Sequence, residues 1–194
     1  MNMLTEPLPT TLHVGNEDIP IDTDFRTFIC YENAMAASDL SAQEKLEIAL
    51  LLYFGDRAAS VDVETAIPPM LEFARCGKPQ ERRPQPPGSG RFFVKAYDYE
   101  HDAGYIYAAF MAQYRIDLCD IPYLHWWKFR ALLESLTEEH VFTKIMGYRT
   151  MEIDPKLPKK QRDFYTKMKK MYALPIDTGA NTDEIFAEAI GSIM

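Results

Sequence analysis

The stretch from Leu124 to Leu136 constrains the fold more than any other part of the chain. It carries Leu124, Trp126, Trp127, Phe129, Leu132, Leu133 and Leu136 at helical spacing, and these positions cover most of the helix girth. A helix that is apolar around most of its surface is stable only when other helices enclose it. Asp120 and Pro122 predict where it starts, as a cap and a first-turn proline. Helical neighbours point about 100° apart. One tryptophan is therefore expected to pack inward, and the other to cover a seam or a partner.

Other helical stripes supply the enclosure. Asp22 or Asp24 caps a helix with Phe25, Phe28 and Ile29 on one face. Ser41 and Glu44 form a capping box, followed by Leu46, Ala49, Leu50 and Tyr53, with Gly55 as the stop. A stripe of Val63, Ala66, Ile67, Met70, Leu71 and Ala74 is interrupted by Pro68 and Pro69, where the spacing predicts the true helix start. Asp98 is placed as the cap of a helix bearing Ala103, Ile106, Tyr107, Phe110, Met111 and Tyr114. A short helix is expected from Glu138 to Gly147. A basic helix follows from Pro158 to Pro175, with Phe164, Tyr165, Met168, Met171 and Tyr172 along one face. Strand signals appear only at the start, where Thr11–Val14 and Ile19–Ile21 flank Gly15-Asn16-Glu17-Asp18 as a hairpin, with Pro20 at an edge.

The predicted fold class is therefore mainly α, a helical bundle with a small N-terminal β-hairpin. The expected organisation is a hairpin with helices over residues 1–76 and a flexible Pro/Gly-rich linker over 77–96. A helical region spans 97–174, and a tail spans 175–194 with a short helix near 183–190.

Composition excludes several classes. Cys30, Cys76 and Cys119 are odd in number and far apart, which suits a reducing compartment rather than a disulfide scaffold. The longest apolar run, residues 48–54, is too short to cross a membrane, and no export signal is expected at the N-terminus. A net charge of −8 argues against nucleic-acid binding. The charge is also uneven. Residues 1–64 hold 12 acidic residues against Arg26, Lys45 and Arg57, whereas residues 156–170 hold 7 basic residues against Asp163.

Chemistry is sparse. No P-loop, nucleophile elbow or HExxH occurs, and His13, His101, His125 and His140 are scattered. Asp98, Glu100, His101 and Asp102 cluster as catalytic groups do, but acids at a helix N-terminus commonly serve only the helix dipole. No catalytic, cofactor-binding or metal-binding residue is assigned, and no enzymatic activity is expected.

Several blocks resemble a bacteriophage family labelled "gene product fifteen". They are Tyr97 to Asp102, Ile106 to Phe110, Tyr114 to Leu118, His125 to Leu133, Gly147 to Met151 and Lys167 to Leu174. The resemblance implies a small protein of tailed phages or prophages whose gene lies between the tail-tube and tape-measure genes. It implies a tail-assembly chaperone that holds the tape-measure protein, or another tail protein, in the bacterial host cytoplasm. The alternative it leaves open is a structural tail or head–tail connector component. Binding to protein, with self-association and without nucleic acid or membrane, is expected at Trp126, Trp127, Arg130, Lys167, Lys169, Lys170 and Tyr172.

Overall fold

The computed structural model describes residues 2–79, 95–175 and 182–193. Among them the chain forms one antiparallel hairpin and eight α-helices, so it is mainly α with an N-terminal hairpin, as the periodicity predicts. The described residues fall into two compact units. Unit 1 draws on Met1–Arg83, Pro122–Ala131 and Thr178–Met194, and unit 2 on Pro84–Ile121 and Leu132–Asp177. Most of the Pro/Gly-rich stretch expected to be a linker, residues 80–94, lies outside the described residues.

Unit 1 opens with strands β1 (Thr11–Val14) and β2 (Glu17–Pro20), paired from Thr11 opposite Pro20 to Val14 opposite Glu17. The turn is two residues, shorter than the four expected. Gly15 stands at φ 62°, the first central position where a type II′ hairpin turn requires positive φ. Leu12 and Val14 alternate inward and β1 packs on α3, while nothing on β2 is buried, so Pro20 does lie on the exposed strand.

Helices α1 (Phe25–Ala36) and α2 (Ala42–Phe54) begin at the predicted caps. The Asp24 carboxylate accepts from the Arg26 N–H, and Ser41 and Glu44 form the reciprocal capping box. Lys45 is buried on α2, and its Nζ donates to the Met35 carbonyl at 3.0 Å, placing a cation at the negative end of α1. A 3-10 turn, Gly55–Ser60, leads to α3 (Val63–Ala74).

Helix α3 corrects one expectation, because it starts at Val63 and contains Pro68 and Pro69 rather than beginning at them. The prolines remove donors that would bond the Glu64 and Thr65 carbonyls, and both of those residues are exposed, so the lost bonds fall on the solvent side of the helix. Meanwhile Ala66, Ile67, Met70, Phe73 and Ala74 are buried, and each large side chain contributes about 1.5–3 kcal/mol.

Helix α5 (Trp126–Glu134) starts later than Asp120 and Pro122 suggest. The residues before it are held extended: the Phe25 N–H donates to Leu124, the Trp126 N–H donates to Thr23, and Asp24 bridges His125. Trp126–Ala131 belong to unit 1 and the last turn to unit 2. Helix α8 (Thr182–Ile193) covers the short helix expected in the tail and buries Ile185, Phe186 and Ala189 against α2 and α3.

Unit 2 is built from α4 (Ala103–Tyr114), α6 (Val141–Thr150) and α7 (Lys159–Met171). Helix α4 begins at Ala103, so Asp98 is not its cap. Helix α6 runs through Gly147 to Thr150 instead of ending at the glycine. Its inward stripe is Phe142, Ile145 and Arg149, facing the α4 residues Ile106, Ala109 and Phe110. The loop before α6 is pinned by Gln113, which donates to the Ser135 carbonyl and accepts from the Thr137 N–H and from His140 Nε2. No described helix is long and apolar enough to cross a membrane.

Candidate functional site

The expected partner-binding residues separate into two groups with different fates. The first is the aromatic start of α5. Trp126 is fully buried and Trp127 is 5% exposed, so both indoles lie inside unit 1 rather than one of them facing outward. The reason is the end of α3. Its last carbonyls lack the usual i→i+4 donors, although Phe73 also accepts from the Cys76 N–H. Trp127 Nε1 donates to the Phe73 carbonyl at 2.9 Å, and Trp126 Nε1 donates to the Ala74 carbonyl at 3.0 Å. Gly77 stands at φ 67°, and a Cβ there would lie 3.1 Å from the Trp127 ring, so only glycine suits this turn. The Trp126 ring stacks on Phe28 and Phe129, with centroids 5.4 and 5.9 Å away, and the Arg130 guanidinium lies over the ring with Cζ 5.3 Å from its centroid.

His125 secures the same corner. Its Nδ1 accepts from the Trp127 N–H at 3.1 Å, so Nε2 carries the proton that meets the Pro9 carbonyl at 3.0 Å. Burial holds its pKa below the ordinary histidine value; the Pro9 bond opposes this and Lys128 adds to it.

The acidic cluster is a turn rather than a helical face. The Asp98 carboxylate accepts from the N–H groups of Glu100 and His101, from His101 Nδ1 and from Lys95 Nζ. Burial pushes the Asp98 carboxyl up, but these hydrogen bonds outweigh it and hold the group well below the usual carboxylate range. Asp102 is buried and takes a bidentate bond from Arg149, at 2.6 and 2.9 Å, together with the Asp98 N–H. The acids thus precede α4 and bind its approach, instead of sitting in its first turn. Among the described residues, no three His, Cys, Asp or Glu side chains converge as a metal site.

The second group lies on α7, which has no buried residue. Three links fasten it to α6 and the segment after it. Arg149 Nε donates to the Tyr172 carbonyl at 2.6 Å, Lys169 Nζ donates to the Met151 carbonyl at 2.6 Å, and the Tyr148 ring meets Tyr172 and Phe164 with centroids 6.2 and 6.3 Å away. Tyr165, Met168, Lys169 and Tyr172 are half-buried on this side. The adjacent edge is open: Phe164 is 48% exposed and Met171 57%. They sit two turns apart, about 10 Å along the axis, and Lys160, Lys167 and Lys170 flank them. That edge combines apolar and positively charged groups on an ordered helix, which is the chemistry of a protein-binding face.

The sequence reading missed the pairing of Asp102 with Arg149. The available signal was Arg149 itself, which continues the apolar stripe of Phe142 and Ile145 at helical spacing, where a cation is rare unless paired. It also missed Leu51, which is 61% exposed on α2. Three consecutive leucines at 50–52 required one to point outward.

Searches of curated proteins and of solved structures each return no match. A family model described as bacteriophage Gp15 protein matches residues 4–174, a span that includes every block of the resemblance and most of both units. The chain therefore belongs to the bacteriophage Gp15 protein family.

Proposed function

We propose that this chain is a phage assembly protein that binds the tape-measure protein while the tail is built. Membership of a phage family supports a role in the particle or its assembly. The observation that carries the binding role is the open edge of α7, where Phe164 and Met171 remain half-exposed between lysines. A long helical protein with apolar stripes aggregates before assembly unless such a surface covers it. Methionine suits the task because its unbranched thioether chain adapts to varied partners. The buried tryptophans of α5 are not part of this surface; they hold unit 1 together.

The test is co-expression with the matching tape-measure protein. The wild-type chain keeps the tape measure soluble and co-purifies with it. Met171→Ser combined with Lys167→Ser folds normally, since both positions are exposed, but loses roughly ten-fold in capture. A tape measure that is equally soluble without this chain refutes the reading. Abundance of the chain in purified virions would favour the structural tail or connector role instead.

A further inference from the structure

Unit 1 carries a surface whose charge is opposite to that of the α7 edge. A groove of about 380 Å³ opens between the end of β2 and the C-terminal half of α2. Pro20, Ile21, Leu51, Leu52 and Phe54 line it. Leu51 stands at its lip, 61% exposed, on a face of α2 that also presents Glu47 and Glu44 one and two turns earlier. Asp22 lies in the groove wall and exposed Asp56 just beyond it. The groove therefore mixes apolar side chains with polar and acidic ones, Thr27 and Asp22 among them, and the α7 edge is apolar with a basic rim.

We propose that the α7 edge of one copy docks into the Leu51 groove of a second copy. Phe164 and Met171 enter the apolar floor, while Lys160, Lys167 and Lys170 face Glu47, Asp22 and Asp56. The two surfaces are different patches of one chain, so the contact is heterologous and propagates head to tail into rings or filaments. The occupant is argued from complementarity: the acid-rich first 64 residues and the basic segment 156–170 neutralise each other between copies, leaving apolar groups shielded. One helix edge in one groove is a small interface, so the association is weak, reversible and sensitive to salt. The contact uses the same edge of α7 as the tape-measure reading, and self-association then masks that edge until a partner competes for it.

Sedimentation of the full chain across concentration and salt tests this. The wild-type mass rises above the 22.3 kDa of one chain as concentration increases, and returns toward it at high salt. Leu51→Glu, which alters only the groove, and Lys167→Glu with Lys170→Glu, which alters only α7, each remain single chains with unchanged circular dichroism. Mixed together, these two variants form a complex of two chains and nothing larger, because one retains the edge and the other the groove. Leu51→Ser, a milder change at the same exposed position, weakens association several-fold. A wild-type chain that stays single at every concentration in low salt overturns the proposal, as does a Leu51→Glu chain that associates like wild type. The two readings fail separately: wild type stays a single chain yet captures the tape measure if only the self-contact is wrong, and wild type still self-associates but captures no tape measure if only the tape-measure reading is wrong.

Discussion

Replacing Arg149 with methionine removes a polar side chain that ties together three segments of unit 2. The guanidinium makes four hydrogen bonds: two to Asp102, one to the Tyr172 carbonyl and one to the Ala96 carbonyl. The side chains of the pair are 6% and 1% exposed, so screening is slight. Methionine fills much of the volume but leaves the Asp102 carboxylate buried with the Asp98 N–H as a remaining donor. Breaking a buried pair from one side costs about 3–5 kcal/mol. For a chain of this length each kcal/mol lowers Tm by roughly 2–4 °C, so the expected drop is on the order of 6–20 °C. Urea unfolding followed in two ways localises the effect. Both tryptophans of the chain lie in unit 1, so their fluorescence follows that unit, whereas circular dichroism follows all the helices. The loss appears mainly in the dichroism. Replacing both partners, Arg149→Met with Asp102→Leu, restores part of the stability, because an apolar pair carries no stranded charge. Trypsin cuts the lysines of α7 faster in Arg149→Met than in Asp102→Asn, since only the former loses the bond to Tyr172. A cost below about 1 kcal/mol, or a double variant whose loss is the sum of the two single losses, refutes the claim that the pair is desolvated and coupled.

Three further outcomes follow from unit 1. Trp126→Phe deprives the 9%-exposed Ala74 carbonyl of its indole donor, at about 1–3 kcal/mol before any cavity term, whereas Leu51→Ser changes stability by less than about 0.5 kcal/mol; chemical denaturation compares the two. Gly77→Ala destabilises more than Gly15→Ala, because both glycines have positive φ but only the former meets a neighbouring ring; the difference in Tm isolates the contact with Trp127. The folded pKa of His125 is depressed, so the unfolded chain binds the extra proton first: stability is present above about 6.5 and declines as pH falls below it, and His125→Gln flattens that part of the Tm–pH profile.

Helix identity was legible in the sequence wherever an apolar stripe coincided with a side-chain cap. At Asp24 and at Ser41 with Glu44 the local chemistry and the burial point to the same residue. Helix starts were misplaced wherever a stop or start residue acted against longer-range packing. Pro68 and Pro69 are tolerated because their faces are solvated while the opposite face is buried. Asp98, Asp120 and Pro122 precede their helices by several residues, and those residues are occupied by contacts distant in sequence, such as Trp126 with Thr23. The burial of both tryptophans was likewise invisible, because it depends on the exposed carbonyl end of α3, 52 residues away from Trp126. A helical wheel assigns directions to neighbouring side chains, but it cannot show that a second helix end needs two donors at one corner.

The residues that carry the family resemblance turn out to be the ones that wire each unit together. Asp102 and Arg149 form the buried clamp, Tyr97 packs on both Tyr99 and Phe142, Phe110 is buried on α4, and Trp126 and Trp127 close the end of α3. Even in the block at 167–174, Lys169 and Tyr172 contribute bonds that fasten α7. A signature made of such residues identifies an architecture, because each one is fixed by a partner within the same chain. It says much less about the partner outside the chain. The side chains proposed above to meet such a partner include Phe164, Met171 and the lysines beside them, and Leu51 with its acidic neighbours; Phe164 and Leu51 fall outside every block. Changes at Arg149 or Trp126 will therefore abolish binding only by unfolding the units. On the proposed readings, changes at the exposed Leu51 and Lys167 leave stability intact and alter binding alone, so these positions separate what the chain is from what it is proposed to do.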